Sequence, residues 1–234
     1  MHKVRKFKKF TLPKSTTRCY NILMKQARLD QLADGIFAIV MTILVFEIRV
    51  PEFYGVVDNQ TLFKSLVVLF PVFVSYLLGF SLLFTYWRSH HFIASILAKN
   101  IDTKFSNLNA VFFFFIGLVP FSAHLLGRYH YSEVAIMFFA LNIVLIGISL
   151  FRMRRYAIKS ATIENMPFTK IENAHANMHI LFPIISAVIA VAVSFYSINI
   201  AFLFFTLAIL FNLSDRSTKV SFALINFLFK KHLK

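Results

Sequence analysis

The polar residues of the first apolar segment are the feature of this sequence most open to a chemical interpretation. The segment opens with Arg28, carries Asp34 near its start and Thr42 near its middle, and ends with Glu47. At about 100° per residue, one helical face gathers five side chains, those of Leu32, Ile39, Thr42, Ile43 and Phe46. Asp34 falls off this face. Because a carboxylate at the end of an apolar helix needs a partner or water, we expect Asp34 to point into the protein.

The apolar face with its single hydroxyl has two interpretations. In the first, Thr42 donates a hydrogen bond to a backbone carbonyl one turn earlier, and the face packs against other helices. In the second, the face forms a functional surface on which the Thr42 hydroxyl has a chemical role. Periodicity alone favours the first interpretation.

A second polar group closes the second apolar segment. Trp87, His90 and His91 are spaced to share one helix face. Together with Asp34, the two histidines suggest a metal site, but no further carboxylate or cysteine completes a ligand set. We therefore expect these histidines to hydrogen-bond to neighbours, and we predict no metal ion. Asn109, near the start of the third segment, is a candidate for hydrogen bonds between helices.

Motifs typical of enzymes are missing from the sequence. It contains no GxSxG, no P-loop and no CxxC, and it also lacks the TVGYG filter loop of ordinary potassium channels. The one cysteine, Cys19, excludes an intramolecular disulfide. We predict that the chain is not an enzyme and holds no cofactor.

The elements that position these residues are long apolar runs. Hydrophobic residues make up 58% of the 234 residues and charged residues only 15%, compared with about 25% charged in soluble proteins. Each run approaches the roughly 20 residues that a helix needs to cross the hydrocarbon core. The runs span residues 32–50, 62–86, 105–126, 132–151, 178–195 and 197–213. The sequence thus predicts an all-α membrane protein with six transmembrane helices, two of which contain internal prolines, Pro71 and Pro120.

The basic residues predict the orientation in the membrane. Of the 25 Lys and Arg residues, only Arg49, Lys64 and Arg128 lie on one side of the predicted spans. The positive-inside rule then places both termini in the cytoplasm. The net charge of +15 fits contact with anionic membrane lipids, and no basic segment interleaved with stacking aromatics suggests nucleic acid.

The chain divides into three parts by composition. Residues 1–27 form a basic cytoplasmic tail, 28–213 the transmembrane domain, and 214–234 a second basic cytoplasmic tail. Pro13 and the residues Ser15–Thr17 argue against one continuous helix in the first tail. We therefore expect that tail to be partly disordered or to lie on the membrane surface.

The first segment resembles a known family. Arg28, followed after three residues by Leu32-Ala33-Asp34, is similar to the Arg-x3-Phe-Ser-Asp motif that opens the first helix of the transmembrane protein 175 family. Leu32 and Ala33 depart from that motif, standing where the family has Phe and Ser. The Trp/His ending of the second segment also resembles the family's pattern, and Leu118-Val-Pro120-Phe121 resembles the Leu-Pro-Phe of the family's third helix.

The resemblance implies a potassium-selective cation channel in the bacterial plasma membrane. Family members are homotetramers of six-helix subunits whose first helices line a central pore, with potassium as the permeant ion. By position, Ile39 would form the hydrophobic constriction and gate, continued by Ile43 and Phe46, and Thr42 would supply a ring of hydroxyls for selectivity.

The remaining polar residues would then have a structural role. Arg28 and Asp34 would tie the first helix to Trp87 and to His90 or His91. Two other functions stay open on the sequence, a proton- or cation-coupled secondary transporter and a non-conducting scaffold. Transporters usually show inverted repeats and charges at the membrane midplane, and neither is evident in this chain.

Overall fold

The computed structural model describes residues 14–98, 101–160, 163 and 170–213, and this part of the chain is α-helical. The helices differ in length from 10 to 30 residues. They are α1 (Lys14–Ile43), α2 (Asn59–Val68), α3 (Phe70–His91), α4 (Thr103–Gly117), α5 (Val119–Arg128), α6 (Glu133–Lys159), α7 (Lys170–Ser194) and α8 (Ile198–Leu213). A short 3-10 turn, Leu44–Glu47, extends α1, and a π-helical turn, Phe92–Leu97, extends α3.

Five segments are long and apolar enough to cross a membrane, by length and composition. They are Ala27–Glu47, Phe70–Ser95, Thr103–Arg128, Glu133–Lys159 and Ala176–Ser194. These segments confirm the predicted all-α membrane protein. The sixth predicted run is helical as well, and 16 residues of α8 are described, compared with the roughly 20 that span the hydrocarbon core.

Prolines divide two of the predicted runs. The helix is interrupted at Leu69 and at Leu118, and in each case a proline, Pro71 or Pro120, lies in the first turn of the helix that follows. Because proline has no backbone N–H and clashes with the carbonyl four residues earlier, it fits a first turn without loss, whereas inside a helix, as at Pro183 of α7, it removes a backbone hydrogen bond. The run that begins at Leu62 is consequently two helices, and α2 has no buried residue.

The residues Ser15–Thr17, which counted against one continuous helix over residues 1–27, lie within α1. Helix α1 begins at Lys14, directly after Pro13, and continues through these residues into the first span. Ser and Thr cost a helix interior only a few tenths of a kcal/mol relative to average residues, so two or three of them do not end it. Residues 1–13 and the tail 214–234 lie outside the described residues.

Helix α6 forms the centre of the subunit. It packs against α4, α5 and α7, and Phe139, Ile146 and Leu150 on it are completely buried. Helix α6 approaches α7 closely at Gly147, where an added Cβ would lie 2.5 Å from Cγ1 of Ile184. Helix α1 lies at the side of this core and contacts mainly α3 and α4.

Candidate functional site

Helix α1 presents one buried and one uncovered face. Ala33, Phe37, Val40 and Leu44 are buried against the neighbouring helices. The opposite face is the one that periodicity singled out, and the subunit leaves its large side chains exposed. The exposed fractions are 54% for Leu32, 59% for Ile39, 43% for Ile43 and 73% for Phe46.

Thr42 lies in the middle of the uncovered face and is exposed. Its hydroxyl donates to the backbone carbonyls of Ala38, at 3.0 Å, and Ile39, at 2.8 Å. The hydrogen bond expected for an ordinary packing residue is therefore present, but the described part of the subunit does not cover the face. Because the hydroxyl proton is committed to the backbone, the oxygen lone pairs are left to accept from the outside.

The carboxyl-terminal end of the first span contacts α5. Glu47, the last residue of the 3-10 turn, lies 2.8 Å from Nδ1 of His124, an ion pair when the histidine is protonated. Leu44 is buried beneath α3, where an added Cβ on Gly79 would lie 3.1 Å from its side chain. These contacts fix the direction in which Phe46 and the uncovered face point.

The amino-terminal part of the first span contacts α3 through a series of polar side chains. The Trp87 indole N–H donates to Oδ1 of Asp34 at 2.9 Å. The Trp87 ring stacks on His91 at 6.0 Å, and Nδ1 of His91 lies 3.2 Å from the Ser95 hydroxyl. Asp30, one turn before Asp34, interacts with Ser95 and His91. Asp34 therefore has a partner on α3, although its side chain is exposed.

His90 belongs to a separate contact between α3 and α4. It is buried, and its Nε2 lies 2.7 Å from Oδ1 of Asn109, whose amide nitrogen donates to the Phe105 carbonyl. Because Oδ1 of Asn109 can only accept a hydrogen bond, Nε2 of His90 carries the proton that is donated to it. The ring also stacks on Phe112 at 5.2 Å. The hydrogen bond between helices that the sequence suggested for Asn109 is present.

Arg28 stands apart from this series of contacts. It is exposed, and no hydrogen bond or ion pair joins it to Asp34, Trp87 or the histidines in the part of the chain that the structure describes. It lines, with Leu32 and Asp102, an open cavity of about 500 Å³ between α1 and α4. Within the described ranges, no three side chains of the types His, Cys, Asp or Glu gather as a metal site.

Sequence reasoning missed three features. Asp30 precedes Asp34 by four residues, so the helical spacing already placed both on one face. Glu47 stood in the first-helix motif, but its partner His124 is distant in sequence, and no local pattern connects them. Arg154, which is buried, could not be distinguished by sequence from the exposed Arg152 and Arg155 beside it.

The fold and the uncovered α1 face define an α-helical integral membrane protein in which one helix is left open to further contacts. The comparisons specify the relatives of this protein. The family model described as endosomal/lysosomal potassium channel TMEM175 matches residues 28–120, which contain the first-helix motif and the helices that hold α1. The resemblance to the transmembrane protein 175 family is therefore confirmed, and that family consists of ion channels rather than enzymes.

Three similar proteins are potassium channels by name. That of Chamaesiphon minutus is 35% identical over 44% of this chain, and that of Streptomyces collinus 28% identical over 45%. The chain spans about half the length of these two relatives, 49% in each case. The potassium channel of a Chryseobacterium species is 27% identical over 80% of this chain and 92% of its own length.

A solved structure has the same fold. The crystal structure of a lysosomal potassium-selective channel TMEM175 homolog from Chamaesiphon minutus superposes with a TM-score of 0.67 at 25% sequence identity. The match covers 81% of this chain and 96% of that one. The likeness thus extends beyond the segment matched by the family model to most of the helical domain.

Proposed function

We propose that this chain is one subunit of a potassium-selective channel. In the proposed assembly, four copies of a six-span subunit surround a central pore lined by their α1 helices. The observation that carries the proposal is the uncovered face of α1, which is apolar except for Thr42 and is held in place by contacts at both ends. The names of the similar proteins support potassium as the permeant ion.

The chemistry of the face fits ion conduction. A ring of four Ile39 side chains would close the pore, since a narrow apolar passage holds water poorly. Ile43 and Phe46 would extend this gate. Thr42 lies about one turn from Ile39, and its outward-facing lone pairs would replace part of the hydration shell of a cation. Potassium loses water at a lower cost than sodium, so partial replacement would favour potassium.

The polar contacts behind the face would hold α1 against its subunit. Asp34, Trp87 and His91 would fix the amino-terminal part of the first span, and His90 with Asn109 would keep α3 and α4 in register. In this proposal these residues act through α1 and do not touch the ion. Arg28 would contribute to the same end of the helix from its exposed position.

Ion flux from purified protein in liposomes tests the pore. Ile39→Asn should raise potassium flux by about tenfold, which corresponds to a barrier lower by about 1.4 kcal/mol, because a polar ring holds water in the constriction. The matched control is Ile185→Asn on α7, which is 55% exposed compared with 59% for Ile39. Equal effects of both variants, or no effect of either, would contradict a pore along α1.

Selectivity is tested by the ratio of potassium to sodium flux. Thr42→Ala should lower this ratio while leaving total conduction measurable. Thr206→Ala on α8 is the control, because Thr206 makes the same hydrogen bond to a carbonyl four residues earlier, at 2.9 Å, without lying on α1. Saturable flux at low turnover in the unmodified protein would favour a transporter, and absence of flux from folded tetramers would favour a scaffold.

Assembly and orientation have their own measurements. Cross-linking or mass photometry of the purified protein should give a tetramer. For orientation in the bacterial plasma membrane, Cys19 is the single thiol of the chain. A membrane-impermeant maleimide should label it in inside-out vesicles and not in intact cells, as a cytoplasmic amino terminus requires. The reverse labelling pattern would overturn the proposed topology.

A further inference from the structure

A cavity of about 210 Å³ opens between the end of α6 and the beginning of α7. Its polar wall carries three cationic side chains and two amides. These are Arg154, Arg155, Lys159, Asn173 and Asn177. This cavity is distant in sequence from the α1 face and has no part in the proposed pore.

Arg154 is the unusual member of this wall, because it is a charged residue that is only 2% exposed. Its Nη2 donates to Oδ1 of Asn173 at 2.9 Å, and its Nη1 donates to Oδ1 of Asn177. Its Nε is buried and has no hydrogen-bond partner. No carboxylate pairs with it among the side chains that the structure describes. A buried guanidinium without a counter-charge is destabilising, so an anion that reaches it would be bound favourably.

The neighbouring amides cannot supply that counter-charge. Asn173 and Asn177 each use one lone pair of the amide oxygen to accept from Arg154, and their NH₂ groups remain as donors for other contacts. Arg155 and Lys159 on the exposed side of the wall carry positive charge and have no acceptor. The wall therefore offers three cationic side chains and two amide NH₂ groups as donors and carries no negative charge among its described side chains, which suits an oxyanion better than a cation.

The position of the cavity also suits an anion at the membrane surface. Helix α6 has 27 residues, so it is about 40 Å long, whereas the hydrocarbon core is about 30 Å thick. Its last turns therefore reach the headgroup region.

We propose that this cavity binds one phosphate-type oxyanion, whose oxygens accept from Arg154, Arg155, Lys159 and the two asparagine amides. The same chemistry is offered by the headgroup of an anionic phospholipid and by free inorganic phosphate. Phe151 and Ile158, which form the apolar part of the wall, would lie against the glycerol and acyl portion of a lipid.

Native mass spectrometry of the full chain, titrated with dioleoylphosphatidylglycerol, tests the site. Arg155→Gln should weaken binding of the first lipid by about fivefold, since one surface cation contributes about 1 kcal/mol to an anionic lipid. Arg152→Gln is the control, because Arg152 has the same charge and exposure on the same helix but does not line the cavity. It should leave the first binding event unchanged.

A second variant avoids removing the buried guanidinium. Asn173→Asp places a carboxylate on Arg154, so the protein should stay folded and lose lipid binding by more than the Arg155 variant. Inorganic phosphate, titrated by calorimetry and as a competitor, separates the two sources. If inorganic phosphate at micromolar to millimolar concentration displaces the lipid, the ligand of the site is free phosphate. If the lipid binds and phosphate does not displace it, the ligand is the lipid headgroup. Equal losses in Arg152→Gln and Arg155→Gln, or unchanged binding in a folded Asn173→Asp, would overturn the proposal.

Discussion

Helices α1 and α6 were predicted from the same signal but have different surroundings. Both are long apolar segments with few charges, yet 22% of the first span is buried within the subunit, compared with 56% of the span formed by α6. Helix α6 has protein neighbours on several sides, whereas α1 is packed along a single face. The apolar composition of a helix therefore indicates that it can lie in lipid, but it does not indicate which of its faces contact other helices.

The largest expected difference concerns two isoleucines. Ile146 on α6 is completely buried and Ile39 on α1 is 59% exposed. Ile146→Ala should destabilise the subunit by about 2 kcal/mol, the lower end of the range for core truncations, because lipid is as apolar as the core and only packing is lost. Ile39→Ala should change stability by less than about 0.5 kcal/mol. Unfolding in mixed micelles, followed by circular dichroism, measures the stability of both variants. Equal losses of stability would contradict the difference in surroundings between α1 and α6.

Two glycines provide the next test. An Ala side chain at Gly147 of α6 would lie 2.5 Å from Ile184, whereas Gly35 of α1 has nothing within 4 Å of an added Cβ. We expect Gly147→Ala to cost about 1–3 kcal/mol through displacement of α7. Gly35→Ala should gain up to about 0.5–1 kcal/mol, because alanine restricts the unfolded chain. The melting temperatures of the two variants should move in opposite directions. A fall for Gly35→Ala would show that another chain covers this face.

The attachment of α1 to α3 gives a smaller effect. Trp87→Phe keeps an aromatic ring over His91 and removes the 2.9 Å hydrogen bond to Asp34. The loss should be about 1 kcal/mol, less than for a buried charged hydrogen bond, because Asp34 is exposed to water. A double-mutant cycle with Asp34→Asn measures the coupling. An interaction free energy near zero would show that this contact does not hold the helix.

The smallest effect concerns α2, which like α1 is exposed and depends on local interactions. The Thr61 hydroxyl, followed by backbone N–H groups, holds the pKa of the Asp58 carboxyl below its ordinary value. Asp58 precedes α2 and caps its first turn. Because its pKa is lowered in the folded protein, the cap stabilises α2 fully at pH values above the ordinary pKa of an aspartate. This stabilisation is lost as the pH falls through the pKa of Asp58 in the folded protein. Thr61→Val should raise the Asp58 pKa, measured by carboxyl NMR. Ser65→Ala should not, since Ser65 bonds the Thr61 carbonyl.

Several elements could be predicted from the sequence because the responsible interactions are local. Length and apolarity predicted the spans, and helical periodicity placed Leu32, Ile39, Thr42, Ile43 and Phe46 on one face. The motif around Asp34 indicated a resemblance to the family, and the match of the family model to residues 28–120 confirms that resemblance. The expected start of the second span at Leu62 failed, and Ser15–Thr17 did not interrupt α1. Both depended on how proline, serine and threonine act in a long helix.

Sequence by itself therefore determined the class of protein, the presence of long apolar helical segments and the residues on each helical face. Only the tertiary structure decided that the Thr42 face is uncovered, that Trp87 and not His90 meets Asp34, and that Arg154 is buried while Arg152 is exposed. The physical reason is that periodicity fixes the angle of a side chain about its own axis, whereas burial and pairing depend on the neighbours that the fold brings to that angle.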